Sequence, residues 1–278
     1  MNHGNDPSSP WQQVVIHFDG WDAAEHSAVA HLGPLLTDAE TSGLVASWFF
    51  IRKNPCWRLR FLPTDDTTTQ DATTLIHQGL DSLHETGRIA RWVATIYEPE
   101  AYAFGGPAAM DTAHHLFHQD SRHILAHLGS DRATASAAGV DQRRELSILL
   151  CSILMRGASQ DWYEQGDIWA RVTEHRCLPS DAPPDRLHAM ESGLRRLMTV
   201  DTSHLARDSG PLAFLTDWAA VFDNAGTELG ELARSGTLRR GLRAVLAHHV
   251  IFAWNRIGLS YTTQRLLATV AKAVALDH

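Results

Sequence analysis

Lysine is nearly missing from this chain: only Lys53 and Lys272 occur, and arginine supplies the remainder of its 24 basic residues. Arginine never deprotonates and offers planar, bidentate recognition of anions and carbonyls. Cysteine is scarce as well. Cys56, Cys151 and Cys177 are too few and too scattered for a disulfide framework or a Cys-rich zinc site, so reduced, mostly buried thiols are expected. Long apolar runs are absent. The densest stretch, Leu242 to Leu259, is broken by Arg243, His248, His249, Asn255 and Arg256, which excludes a membrane span. A net charge of −8 argues against a general nucleic-acid binder. Residues Met1 to Pro10 lack the charged and apolar regions of a signal peptide, and a cytoplasmic location is expected. The glycine fingerprints of nucleotide binding, the protein-kinase motifs, the G-x-S-x-G hydrolase elbow and the H-E-x-x-H zinc helix are all missing, and there is no internal repeat.

What is present suits a large core, with 44% hydrophobic residues in 278. Strands are predicted at Gln12–His17, Val45–Lys53, Trp57–Leu62 and Arg88–Tyr97, and helices at Asp22–Leu32 and Leu75–Glu85. Asn54-Pro55-Cys56 reads as the turn between two aromatic-rich strands, and Thr64–Thr74 as a polar surface loop. Past Gly105-Gly106 the pattern becomes helical: Pro107–Leu128, Asp141–Arg156, Pro184–Thr199, Pro211–Arg234, Leu238–Arg256 and Thr262–Leu276. Cys177–Pro184 is a Pro-rich loop. The class is α+β: a mixed or antiparallel N-terminal sheet with helices, then a mostly helical half. A single fold over 1–278 is expected, its sheet part ending near residue 106.

Several groups invite a chemical reading. Arg58 and Arg60 share one strand face, roughly 7 Å apart, either as a solvated surface or as a cationic pair for carbonyls or a carboxylate. Glu98 and Glu100 flank Pro99 just after a strand, where functional loops sit. The chain has 17 histidines. His114 and His118 have the i,i+4 spacing that can chelate zinc, but no third ligand is evident, and a solvated or capping role is favoured. His248 and His249 point about 100° apart on a helix, so one faces a cleft and the other packs or meets solvent. Asp120 and Ser121 lie beside histidines without a nucleophile motif. Asn255-Arg256 ends an apolar helix before Gly258, either capping it or closing a cavity.

Five segments taken together resemble a known family: Ser47–Arg52 (SWFFIR), Trp57–Phe61 (WRLRF), Tyr97–Gly106 (YEPEAYAFGG), Phe117–Ser121 (FHQDS) and Ala253–Gly258 (AWNRIG). In order and spacing they are similar to the thiopeptide-type bacteriocin biosynthesis domain, which is also the C-terminal elimination domain of lantibiotic dehydratases. The resemblance covers nearly the whole chain. It implies one of two chemistries on a precursor peptide. Eliminating members remove glutamate from glutamylated Ser or Thr. The thiopeptide pyridine synthases instead join two dehydroalanines by a formal aza-[4+2] cycloaddition, losing water and leader peptide.

Departures from the family pattern favour the second branch. Eliminating members carry E-x-x-R-Y-G-G, and here Glu100 is kept while the arginine position is Ala103, followed by Phe104. Their histidine four residues before Asn-Arg is Ile251 here, and His114 stands where the family often has Glu. The resemblance therefore implies a pyridine synthase with no metal or redox cofactor. Its partner is a leader-bearing, azole-containing precursor peptide, with no nucleic acid or membrane, and related enzymes suggest a homodimer. Tyr97, Glu100, Tyr102, His248, His249 and Tyr261 are the candidates for moving protons. Arg58, Arg60, Asp120, Ser121, Trp254, Asn255 and Arg256 are the candidates for holding substrate. Glutamate elimination, and a non-catalytic module that binds the precursor, are the alternatives.

Overall fold

The structure is a computed structural model that describes residues 10–130, 142–176, 184–201 and 213–276. Four strands form one antiparallel sheet in the order β2-β3-β1-β4: β1 (Gln12–His17), β2 (Val45–Lys53), β3 (Cys56–Pro63) and β4 (Arg91–Thr95). The two-residue link Asn54-Pro55 joins β2 to β3, and the register runs from Lys53↔Cys56 to Val45↔Pro63 with a bulge between Val45 and Ser47. Alternation decides the faces. Trp48, Phe50, Trp57, Leu59, Phe61, Val14 and Ile16 are buried on one side. Helix α3 (Thr69–Glu85) contributes Ala72, Ile76 and Leu80, a stripe at i,i+4,i+8 that packs toward the sheet. The opposite face carries Phe49, Ile51, Arg58 and Arg60, because directly paired residues point the same way.

The strand reading therefore holds, with β4 shorter than expected. The polar stretch predicted as a loop is corrected: residues from Thr69 on are helical. Asp65 explains this. Its carboxylate accepts from the Thr68 backbone N–H at 2.9 Å and the Thr67 hydroxyl at 2.6 Å, building a turn that launches α3, and Asp71 lies in the first helical turn. The helix predicted over Asp22–Leu32 runs further. α1 (Trp21–Ser27) passes through a π-turn at Ala28–Leu32 into α2 (Gly33–Thr41), whose first turn holds Pro34.

The helical half comprises α4 (Pro107–Leu128), α5 (Arg143–Gly157), α6 (Trp162–His175), α7 (Pro184–Thr199), α8 (Thr216–Arg234), α9 (Leu242–Ile257) and α10 (Tyr261–Leu276). α6 is not among the predicted elements. Its start is a capping box: the Asp161 side chain accepts from the Glu164 N–H, and the Glu164 side chain accepts from the Asp161 N–H. α5 is buried all round from Leu146 through Met155, and it packs against α7, α8 and α9. α10 packs against α6 and α7. Among the described residues no helix is long and apolar enough to cross a membrane.

Two compact units result. One contains the sheet, α1 to α3 and the last turns of α4 from Ile124; the other contains residues 100–123 and the helices from α5 on.

Candidate functional site

In the helical unit, the loop 100–106 is tied into successive turns. The Phe104 N–H donates to the Glu100 carbonyl at 3.1 Å, and the Gly106 N–H to the Ala101 carbonyl at 2.7 Å. Gly105 and Gly106 have φ of 98° and 110°, which side chains rarely adopt. A Cβ on Gly105 would also strike Leu238. The loop is anchored further by the Arg239 N–H to the Gly105 carbonyl (2.7 Å) and by Arg240 Nη1 to the Ala103 carbonyl (2.7 Å). This frame presents Glu100 to helix α9, where Glu100 Oε2 lies 3.1 Å from His248 Nε2. Both groups keep solvent access, with side-chain exposures of 49% and 21%. Tyr102 projects from the same loop, 78% exposed.

Phe104 is the floor of this pair. Its ring meets His248 and His249 edge-on, both at 4.8 Å between centroids, and Phe252 at 4.9 Å and Phe117 at 5.2 Å. His249 points inward: it is 1% exposed, and neither ring nitrogen has a hydrogen-bond partner among the described residues. Burial, helped by the positive charge of Arg256, pushes its pKa down to about 3. It is therefore a neutral imidazole across the physiological range, and His248 is the member of the adjacent pair that keeps solvent access.

Beneath lies a buried ion pair. Arg256 Nε donates to Asp120 Oδ2 at 2.6 Å, and Trp218 Nε1 donates to Asp120 Oδ1 at 2.8 Å. The guanidinium stacks over Phe117 at 4.3 Å from the ring centre. Burial lowers the Arg256 pKa and the Asp120 charge opposes that shift. Arg256 thus neither caps α9 nor lines an open cleft; Gly258, with φ of 88°, terminates the helix. The contiguous path is Glu100–His248–Phe104–His249–Phe117–Arg256–Asp120. Phe104 and Phe117 in this path, and Phe252 and Trp218 beside it, are residues to which sequence reasoning gave no role. The one signal for Phe104 was its place before the glycine pair.

The other predicted residues fall elsewhere. In the sheet unit, the Arg60 guanidinium lies 4.5 Å over the Tyr97 ring and 5.2 Å over Phe49, and its Nε donates to Gln13 Oε1 at 2.7 Å. Arg58, two residues earlier on that face, is half-buried. In the helical unit Ser121 is fully buried, and Trp254 stacks on Trp169 at 5.9 Å. Asn255 accepts from Gln264 at 3.0 Å, and Tyr261 stands exposed between Arg176 and Arg265. His114 and His118, expected to be solvated or capping, are buried on α4 instead, because the i,i+4 stripe that carries them faces inward with Ala113, Leu116 and Phe117. Among the described residues no group of three or more His, Cys, Asp or Glu is arranged to hold a metal ion.

A family model described as "Lantibiotic biosynthesis dehydratase C-term" matches residues 11–275. The chain belongs to that family. Membership makes it a protein of lantibiotic-type modified-peptide biosynthesis. Among solved structures, the tRNA dependent lantibiotic dehydratase MibB from Microbispora sp. 107891 is similar over 100% of this chain, with TM-score 0.70 and 18% identity. The chain spans only 29% of MibB's length. TsrL is similar over 95% of this chain and 97% of its own, with TM-score 0.61 and 16% identity. The pyridine synthase TbtD, from thiomuracin biosynthesis, is similar over 96% of this chain and 98% of its own, with TM-score 0.67 and 12% identity. At these identities the likeness concerns the fold. No curated protein sequence matches.

Proposed function

We propose that this member of the lantibiotic dehydratase C-terminal family is a pyridine synthase acting on a dehydrated, azole-bearing precursor peptide. The observation that carries the reading is the Glu100–His248 pair on its aromatic floor, combined with Ala103 and Ile251 at the positions where eliminating relatives use Arg and His. Carboxylate and imidazole together can accept and return a proton. Neither Ala103 nor Ile251 can hold glutamate's carboxylate.

The reaction needs these means. An amide ahead of one dehydroalanine tautomerises to its imidic acid, moving a proton from nitrogen to oxygen. The resulting 2-azadiene then meets the second dehydroalanine. One new bond joins the two Cβ carbons, and the other joins the former amide carbon to the partner Cα. Water leaves from the first of these carbons and the leader, as its amide, from the second, giving the aromatic pyridine. The Glu100–His248 pair relays the proton of the tautomerisation and supplies the acid for the departures. Tyr102 offers a hydrogen bond at the mouth. Arg58, Arg60 and Asn255 are assigned to holding the peptide, since approximation of the two alkenes contributes much of the rate, whereas Trp254 is fully buried against Trp169 and packs the core. Asp120, Ser121 and Arg256 act from beneath as supports of α4 and α9.

The test is incubation with a synthetic leader-bearing peptide that contains azoles and two dehydroalanines, read by mass spectrometry. A product lighter by water and the leader amide supports the proposal. Conversion of a glutamylated peptide alone, or binding with no mass change, overturns it in favour of elimination or of a binding module.

A further inference from the structure

The exposed tyrosine at the start of α10 has unusual company. The Arg176 guanidinium carbon lies 5.2 Å from the Tyr261 ring centre, and that of Arg265 lies 5.4 Å from it. A guanidinium drawn to an aromatic ring is held there while the N–H edges in its own plane remain able to donate. Arg176 is further fixed in place. Its Nε donates to Gln264 Oε1 at 2.7 Å and its Nη1 to the His175 carbonyl at 2.9 Å. Gln264 is itself secured by Asn255 (3.0 Å) and the Leu259 carbonyl (2.9 Å).

What this cluster lacks is an acid. The chain has an excess of carboxylates over basic groups, and three of its other clamped arginines are paired: Arg52 with Glu25, Arg243 with Glu164 and Asp167, Arg256 with Asp120. Among the described residues neither Arg176 nor Arg265 has a carboxylate partner, and the Arg265 Nε, shielded from solvent, has no hydrogen-bond partner. Burial lowers the Arg176 pKa, and Tyr261 opposes that shift. Two preoriented cations around an exposed phenol, whose hydroxyl can add a hydrogen bond, match the planar fork of a carboxylate.

We infer that Arg176, Tyr261 and Arg265 form a docking site for the side-chain carboxylates of an acidic peptide segment. The inference rests on the proposed function only in taking the ligand to be a peptide. It moves Tyr261 from the proton-moving set to recognition. Binding there tethers the precursor by a part remote from the reacting alkenes, and remote binding energy can position a reacting segment.

The test uses the full chain and a fluorescein-labelled peptide of alternating Glu and Gly, with the matching Gln-Gly peptide as control, read by anisotropy. The Glu peptide is expected to bind, more weakly as salt rises, and the Gln peptide to bind at least tenfold more weakly. Arg265→Gln breaks no hydrogen bond within the described protein, so it should leave the melting transition unchanged and weaken binding by about tenfold. Arg176→Gln should weaken binding similarly, and Arg171→Gln, on an exposed turn of α6, should leave it unchanged. Equal affinity for the two peptides, no effect of Arg265→Gln, or full displacement by inorganic phosphate at the peptide's own concentration would each overturn the site. Ring formation on the same preparations separates the two proposals. Arg265-dependent binding without ring formation sinks the synthase and keeps the site, whereas ring formation with indifferent binding does the reverse.

Discussion

Replacing Asp120 by Asn isolates the most consequential interaction in the helical unit. The side chain keeps its shape but loses its charge, leaving a guanidinium that is 0% exposed with no carboxylate beside it. Removing one partner of a buried, hydrogen-bonded ion pair costs about 3–5 kcal/mol, because the remaining charge is stranded away from water. Arg256 has few alternatives, since its Nη1 and Nη2 already lack partners among the described residues. Trp218 Nε1 keeps an acceptor in the Asn amide oxygen if that amide turns toward it, so the loss falls mainly on Arg256. For a unit of this size the cost corresponds to a melting temperature lower by about 10 °C. Calorimetry or urea unfolding at pH 7 reads it, with Asp167→Asn as comparison. Asp167 pairs with Arg243 at a half-exposed site, worth about 0–1 kcal/mol. The double variant Asp120→Leu/Arg256→Met should recover most of the loss, because apolar replacement of a whole buried pair is often neutral. The reasoning fails if Asp120→Asn is no more destabilising than Asp167→Asn, or if the double variant is worse than the single one.

The buried imidazole of His249 sets a pH dependence. Its folded pKa, about 3, lies below the ordinary 6.5. Only the unfolded chain takes up this proton as pH falls through 6.5, so the contribution to stability is complete above that value and is lost toward pH 3. His249→Leu should therefore lose less stability on acidification than the parent, by about 1.4 kcal/mol per pH unit between 6 and 4; parallel curves would contradict the assignment. Gly226, on α8, lies against the Leu154 carbonyl of α5, where an added Cβ would clash with backbone. Gly226→Ala should cost about 2 kcal/mol in urea unfolding despite alanine's better helix propensity, and a stabilised variant would refute the close approach. Glu100→Gln and His248→Gln touch groups that keep solvent access, so they should leave the fold intact and lower turnover by about 100-fold or more. Full activity in both would remove the pair from the mechanism.

How much was legible in the sequence varies with how local the cause was. Trp57, Leu59 and Phe61 alternate with Arg58 and Arg60, and that alternation by itself assigned the two faces of β3. The body of α3 from Leu75 to Glu85 was legible in the same way. The start of α3 was lost because Thr64–Thr74 is polar throughout, and a turn made by Asp65 with Thr67 and Thr68 looks like any polar loop until its hydrogen bonds are traced. α6 was lost for a related reason: Gly166 interrupts its pattern, and it is there because Leu276 of α10 leaves no room for a side chain.

The sequence by itself determined the α+β class, the lack of a lysine-rich or cysteine-rich chemistry, and the uncharged residues at positions 103 and 251. These are matters of residue type and short-range period, which need no partner. Tertiary structure alone decided which of two adjacent histidines is buried, that Arg256 is buried against Asp120, and that Tyr261 lies between Arg176 and Arg265. Each of those depends on residues 85 or more positions apart in at least one contact, brought together by helix packing that no local pattern encodes.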